Sequence, residues 1–243
     1  MPPTRPLGGT VQAAPVAGAP GVRDAWRMLL AASGSHASPV RGLKAPVVLA
    51  AAYLVGSLPV ANLAAHAYAG VDLRDVGRRT VSGSSLYEVA GFGPLALAGV
   101  VELFKGACGP LLAGRARPRL GAAAAATAIV GHNWSPFLAG GGGRGVSLAL
   151  GATVVAAPEG AVLLGCGVGL GRLARATGTG TFAALVALPL LLGTTRKADG
   201  VMLAAALVLP ILAKRVLGND ARLPRGRRAL ATRLLADHDA PLA

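Results

Sequence analysis

Four ionisable residues stand out in type and spacing: Glu102, Lys105, His132 and Arg144. Glu102 and Lys105 lie three apart inside an apolar run, hence on one face of a helix. Placing such groups in hydrocarbon costs at least a few kcal/mol each. The pair either neutralises itself and fixes packing, or it faces a functional interior. His132 ends an apolar run in GHNWSPFL, beside Asn133 and Trp134. That placement suits an interfacial anchor or a proton-transfer residue at the mouth of a site. Arg144 sits in GGGGRG, residues 140–145, which opens directly into the apolar run from Val146. Backbone N–H groups of Gly142, Gly143 and Gly145 at a helix start suit an anion, and an Arg fork matches phosphate. A flexible turn carrying one topology-setting Arg has the same composition. A second polar segment, VDLRDVGRRTVSGSSLYE, holds Arg78, Arg79, Thr80, Ser82, Ser84 and Ser85, and a third runs from Arg172 to Thr181. Each reads as part of an anion site or as a solvated loop near lipid headgroups. Ser57, in GSLP, is placed to bond a backbone carbonyl beside a proline kink. Cys108 and Cys166 lie in apolar stretches without metal-ligand spacing, so neither a zinc site nor a disulfide is indicated. No HExxH, GxSxG or P-loop motif occurs, which removes soluble hydrolases of those types.

The elements that must position these residues follow from composition. Of 243 residues, 53% are hydrophobic, 14% are charged and 35 are Gly, with a net charge of +14. Soluble chains carry roughly 25% charged residues, and disordered chains couple high charge to low hydrophobicity. The composition describes an all-α polytopic membrane protein with basic loops. Nucleic-acid binding is disfavoured by 4% aromatics, too few for base stacking. Residues 1–44 read as a disordered Pro/Ala/Gly-rich extension, 45–216 as the membrane domain, and 217–243 as a basic tail. A span needs about 20 mostly apolar residues. Candidates are 45–69, 89–113, 120–138, two short helices split near Pro158 within 146–173, 181–192 and 201–213, seven in all. The basic tail favours a cytoplasmic C terminus. This puts the loops at 70–88, 139–145 and 171–180 on the cytoplasmic side too.

YLVGSLPVANL (53–63), VDLRDVG (71–77), ELFKG (102–106), GHNWSPFL (131–138) and GGRGVSLALG (142–151) resemble, in order and spacing, bacterial acyl-phosphate-dependent glycerol-3-phosphate acyltransferases, the PlsY family. The resemblance covers about residues 46–215. It implies a seven-helix bundle in the bacterial inner (plasma) membrane with its active site open to the cytoplasm. It also implies transfer of a fatty acyl group from acyl phosphate to the sn-1 hydroxyl of glycerol 3-phosphate, giving lysophosphatidate. Neither cofactor nor metal is implied, and the partners are the two substrates and membrane lipid. Catalytic roles fall on Ser57, Lys105 and His132. Substrate and phosphate contacts fall on Arg74, Gly77, Arg78, Arg79, Thr80, Ser82, Ser84, Ser85, Asn133, Gly142, Gly143, Arg144 and Gly145. The chain departs from the family where G-S-G-N-x-G-A-T-N becomes GRRTVSGSS, where F-K-G-G-K-G becomes GGGGRG, and where the Asp of D-x-x-K-G becomes Glu102. These departures also admit a divergent paralogue with another acceptor, or a non-catalytic lipid-binding membrane protein. A small transporter is disfavoured by the lack of an internal repeat.

Overall fold

A computed structural model describes residues 43–77, 79–219 and 226–237. Arg78, the expected extension up to residue 42, and residues 220–225 and 238–243 of the tail lie outside the described residues. Among those described, every regular element is helical: α1 (Ala45–Ser57), α2 (Val60–Ala69), α3 (Gly83–Ala90), α4 (Phe92–Ala113), α5 (Pro118–Asn133), α6 (Val146–Ala156), α7 (Pro158–Leu173), α8 (Thr177–Leu217) and α9 (Arg227–Ala236), with a 3₁₀ turn at Pro136–Leu138.

α1 and α2 form one span broken at Leu58–Pro59. Pro59 has no N–H to give and crowds the preceding turn, so carbonyls at the break lose their helical partners. The protein refills them from other helices. Ser135 Oγ donates to the Ser57 carbonyl at 2.6 Å, and Lys105 Nζ donates to that of Leu58. In hydrocarbon such refilling is what lets a broken helix persist.

α8 needs a second correction to a simple reading. As one straight helix, its 41 residues would separate its ends by about 60 Å. Yet Arg215 Nη1 donates to the Gly178 carbonyl at 3.2 Å. The chain reverses at Lys197, whose φ of 55° and ψ of −135° are non-helical, and the two halves run antiparallel. Counting them separately gives the seven expected spans. Three segments, Ala45–Ala69, Phe92–Ala113 and Thr177–Leu217, are long and apolar enough to cross a bilayer by themselves, whereas Val146–Ala156 is short.

The interior is built from small residues. Ala52, Ala124, Ala125, Ala128, Ala149 and Ala152 are fully or almost fully buried, while Leu63, Phe104, Val162, Leu190 and Leu209 point outward. Lipid solvates large apolar side chains as well as a core does, so close backbone approach decides which residues face inward. A Cβ on Gly56 would strike the Ala128 carbonyl, one on Gly106 that of Leu148, and one on Gly151 that of Leu103. These contacts lock α1 to α5 and α4 to α6.

Two segments expected to be irregular contain helix. α3 forms within the polar stretch 71–88, where Ser82 Oγ accepts from the Ser85 N–H at 3.3 Å and caps its first turn. α9 forms within the basic tail.

Candidate active site

Buried charge organises the centre of the bundle. α4 carries Glu102 and Lys105, 6% and 1% exposed. Lys105 Nζ lies 3.1 Å from Glu102 Oε1 and 3.0 Å from Oε2. α5 ends by bringing His132 Nδ1 to 3.3 Å from Glu102 Oε2. The carboxylate therefore sits between an ammonium and an imidazole. An acceptor at Nδ1 favours the tautomer whose Nε2 carries a lone pair.

Glu102 and His132 also line a cavity of about 260 Å³. Its lining is mixed: polar side chains come from Thr80, Ser82 and Ser84 at the start of α3, Arg144 before α6, Arg172 at the end of α7 and Arg215 near the end of α8, and apolar ones from Leu95, Ala98, Leu150 and Val168. α6 begins on this cavity, and the N–H groups of a first helical turn have no intrahelical partners. The three loops expected on one membrane side thus converge on one site. Among the described residues no cluster of three or more His, Cys, Asp or Glu is arranged to hold a metal ion.

The expected site residues divide into three groups. Thr80, Ser82, Ser84, His132, Arg144 and Gly145 line the cavity. Ser85 and Lys105 stand directly behind it. Ser85 Oγ is 3.2 Å from Thr80 Oγ1 and 3.1 Å from Ser82 Oγ, and Lys105 reaches the cavity only through Glu102. The remaining described ones do not line it, and Arg78 lies outside the described residues. Ser57 Oγ donates to the Tyr53 carbonyl at 2.7 Å, the ordinary bond beside a proline kink. Asn133 Nδ2 donates to the Pro210 carbonyl at 2.9 Å and ties α5 to α8. Gly77 and the exposed Arg79 take left-handed φ of 52° and 54° in the loop before α3.

Arg74 is committed to Asp72. Its Nε and Nη2 lie 3.0 and 2.7 Å from the two carboxylate oxygens, and Nη1 donates to the Leu138 carbonyl at 3.4 Å. The guanidinium holds the Asp72 carboxyl well below the usual carboxylate range, and the carboxylate raises Arg74 in turn.

The glycine run does different work from the expected cradle. Gly142 N–H donates to Asn219 Oδ1 at 3.2 Å, and Gly143 N–H donates to the His132 carbonyl at 3.3 Å. A Cβ on Gly142 would strike the His132 carbonyl, and one on Gly143 would strike His132 Nε2 and the Val81 carbonyl. Gly142 and Gly143 are small because the loop is pressed onto the histidine, and their N–H groups are already spent.

Sequence reasoning missed Arg215, Asp237 and Asn219. Arg215 follows the last apolar run beside Lys214 and reads as a topology charge, yet it is fully buried. Asp237 lies beyond the match to the known motifs. Asn219 Nδ2 donates to the carbonyls of Arg79 and Gly142 at 3.2 and 3.1 Å, stapling the two polar loops together. A lone Asn after a span gives no sequence signal of that kind.

The family model for glycerol-3-phosphate acyltransferase matches residues 46–226. The chain belongs to that family. Glycerol-3-phosphate acyltransferases among its relatives include one from Rubrobacter xylanophilus, 38% identical over 50% of this chain and 58% of the relative. Another, glycerol-3-phosphate acyltransferase 5 of Dehalococcoides mccartyi, is 34% identical over 60% of this chain and 64% of the relative. The matches to these two span between half and two thirds of each relative's length. The crystal structure of PlsY, an integral membrane glycerol 3-phosphate acyltransferase, in its glycerol 3-phosphate form superposes with a TM-score of 0.67 at 22% identity, over 82% of this chain and 96% of that one. Its lysophosphatidic acid form gives 0.61 at 20% identity, over 74% and 96%. The seven-span membrane fold is therefore shared. In this member of the glycerol-3-phosphate acyltransferase family Thr80, Ser82 and Ser85 of the rewritten segment bond one another through their hydroxyls.

Proposed function

We propose that the protein transfers a fatty acyl group from acyl phosphate to the sn-1 hydroxyl of glycerol 3-phosphate, releasing phosphate and lysophosphatidate. Within a chain of this family, the observation that carries the reading is one cavity lined by both cationic and apolar side chains. Arg144, Arg172 and Arg215 supply cations for phosphoryl groups, and Leu95, Ala98, Leu150 and Val168 accept an acyl chain. The His132–Glu102 pair lines the same cavity.

In the reaction the acceptor hydroxyl oxygen attacks the acyl carbonyl, the carbon–oxygen bond to phosphate breaks, and the phosphate leaves with that electron pair. The hydroxyl proton passes to His132 Nε2 or directly to the departing phosphate. Arg144 and the first turn of α6 stabilise negative charge that grows on the carbonyl and leaving oxygens, usually a large contribution in acyl transfer. Glu102 keeps the imidazole oriented, and Lys105 neutralises Glu102. Ser57 and Asn133 act as positioning residues, fixing the α1 break and the α5–α8 contact. Arg74, paired with Asp72, ties the segment before α3 to the Leu138 carbonyl.

Residues 45–216 form the membrane domain, in the bacterial plasma membrane, with the cavity facing the cytoplasm. The basic chain after the last span favours this orientation. The test is purified protein in detergent, given palmitoyl phosphate and glycerol 3-phosphate, with lysophosphatidate and phosphate both measured. Stoichiometric release above background is expected and should be lost in Arg144→Ala and His132→Ala. No turnover with glycerol 3-phosphate overturns the acceptor assignment, and none with related polyols removes the acyltransferase reading.

A further inference from the structure

Asp237 stops α9 in a left-handed conformation, φ 58°, and its side chain enters the cavity lining. Its Oδ1 lies 2.7 Å from Arg144 Nε and 3.9 Å from Arg215 Nε. Both guanidiniums are buried, 4% and 0% exposed. The end of α9 is held in place from the same point. Arg215 Nη1 donates to the Leu234 carbonyl at 2.6 Å, one of the orphan carbonyls of a helix C terminus. Arg233 Nη1 donates to the Val216 carbonyl at 2.9 Å. Gly178 permits this docking, because a Cβ there would strike the backbone of Ala236.

One carboxylate thus faces two buried guanidiniums where a phosphoryl group has most to gain. A tethered carboxylate competes at high effective concentration. A monoanion that replaces it exchanges one charge for one and loses the tether. A dianion brings a second charge that pairs with the other Arg in a poorly screened site.

We propose that Asp237 is an internal occupant of the Arg144–Arg215 anion subsite, so that a phosphoryl group binds by exchange with this carboxylate and the subsite selects dianions over monoanions. The proposal rests on the functional reading above only for the ligand's chemical class. Binding should free the end of α9.

The test uses the full chain in detergent at pH 8 and calorimetric titration with inorganic phosphate, mostly dianionic, and with dimethyl phosphate, a monoanion. Wild type should bind phosphate at least about tenfold more tightly than dimethyl phosphate. Asp237→Asn should tighten both by a similar factor, because both displace the same carboxylate, and leave the ratio between them nearly unchanged. Arg144→Gln should weaken phosphate binding at least about tenfold in either background. Wild type alone gives a second readout: at a concentration where phosphate occupies the subsite and dimethyl phosphate does not, phosphate alone should speed tryptic cleavage after the exposed Arg227 and Arg228. Asp237→Asn affinities within twofold of wild type, or weaker, overturn the proposal. So does an unchanged Arg144→Gln, or, if Asp237→Asn does not fold, a cleavage rate indifferent to phosphate. No acyl transfer is read here, so failure of the enzymatic reading and failure of this exchange are separately visible.

Discussion

Replacing Lys105 with methionine removes one ammonium while keeping an unbranched side chain of similar length in α4. In the native protein Lys105 is 1% exposed and contacts both oxygens of Glu102, itself 6% exposed. It also donates to the Leu58 carbonyl freed by the Pro59 break. Removing one partner of a buried pair costs about 3–5 kcal/mol, because the other charge stays buried. The Leu58 carbonyl, left without its donor, adds about 1–3 kcal/mol. Lys105→Met should therefore lower stability by at least about 3 kcal/mol, a fall in Tm on the order of 10 °C. Glu102→Leu combined with Lys105→Met removes the pair together. The double variant should recover most of the loss and remain only about 1–3 kcal/mol below wild type, the share of the Leu58 carbonyl. Unfolding in detergent, followed by the fluorescence of Trp134, measures both. The rescued variant should still turn over at least about tenfold more slowly than wild type, because nothing then orients His132. A single variant within about 1 kcal/mol of wild type, or a double variant no better than the single, would refute the reasoning.

Further outcomes follow from other contacts. Asn219→Ala deletes the bonds to Gly142 and to the Arg79 carbonyl and should cost about 1–3 kcal/mol while raising KM, read by steady-state kinetics. Gly143→Ala forces a Cβ against His132 Nε2 and the Val81 carbonyl, so kcat should fall with little change in expression if the loop yields, and folding should fail if it does not. Lys197→Gly, at φ 55° and outside the cavity lining, should stabilise by about 1 kcal/mol and leave turnover as it is, read by thermal unfolding and the same assay. The lowered Asp72 carboxyl contributes stability that is present above the unfolded value near 3.9 and lost as pH falls towards the folded one. The gap between wild type and Asp72→Asn should accordingly stay constant from about pH 8 to 5 and shrink only below about pH 4, as unfolding at graded pH would show.

Much of the architecture was legible because hydrocarbon leaves few options. Long apolar runs must be helices with satisfied backbones, and GGGGRG cannot lie inside one. The spacing of Glu102 and Lys105 forecast a shared face, and the structure pairs them. Ser57 beside Pro59 forecast a local carbonyl bond, and Tyr53 supplies the acceptor. α3 and α9 were missed. Their sequences carry no apolar stripe long enough to distinguish a short capped helix from a solvated loop.

The site was legible in part. Thr80, Ser82, Ser84, His132 and Arg144 meet at one cavity because the segments that carry them are short and start or end helices. Arg74, expected as a ligand contact, is paired with Asp72 two residues away, a partner that the motif alone does not announce. Gly142 and Gly143, expected at a phosphate, pack against His132, because glycine serves close packing as readily as anion binding and only the neighbour's position tells which.

The sequence by itself determined the solvent, the number of spans and the helix face that carries each ionisable group, since these follow from local composition and helical periodicity. Only the tertiary structure decided that α8 folds back at Lys197 and that Arg215 reaches Gly178. It alone brings Asp237, 93 residues after Arg144, to within 2.7 Å of that guanidinium. Such pairings depend on distances across the bundle, set by glycine and alanine contacts between helices, and residue spacing along the chain does not encode them.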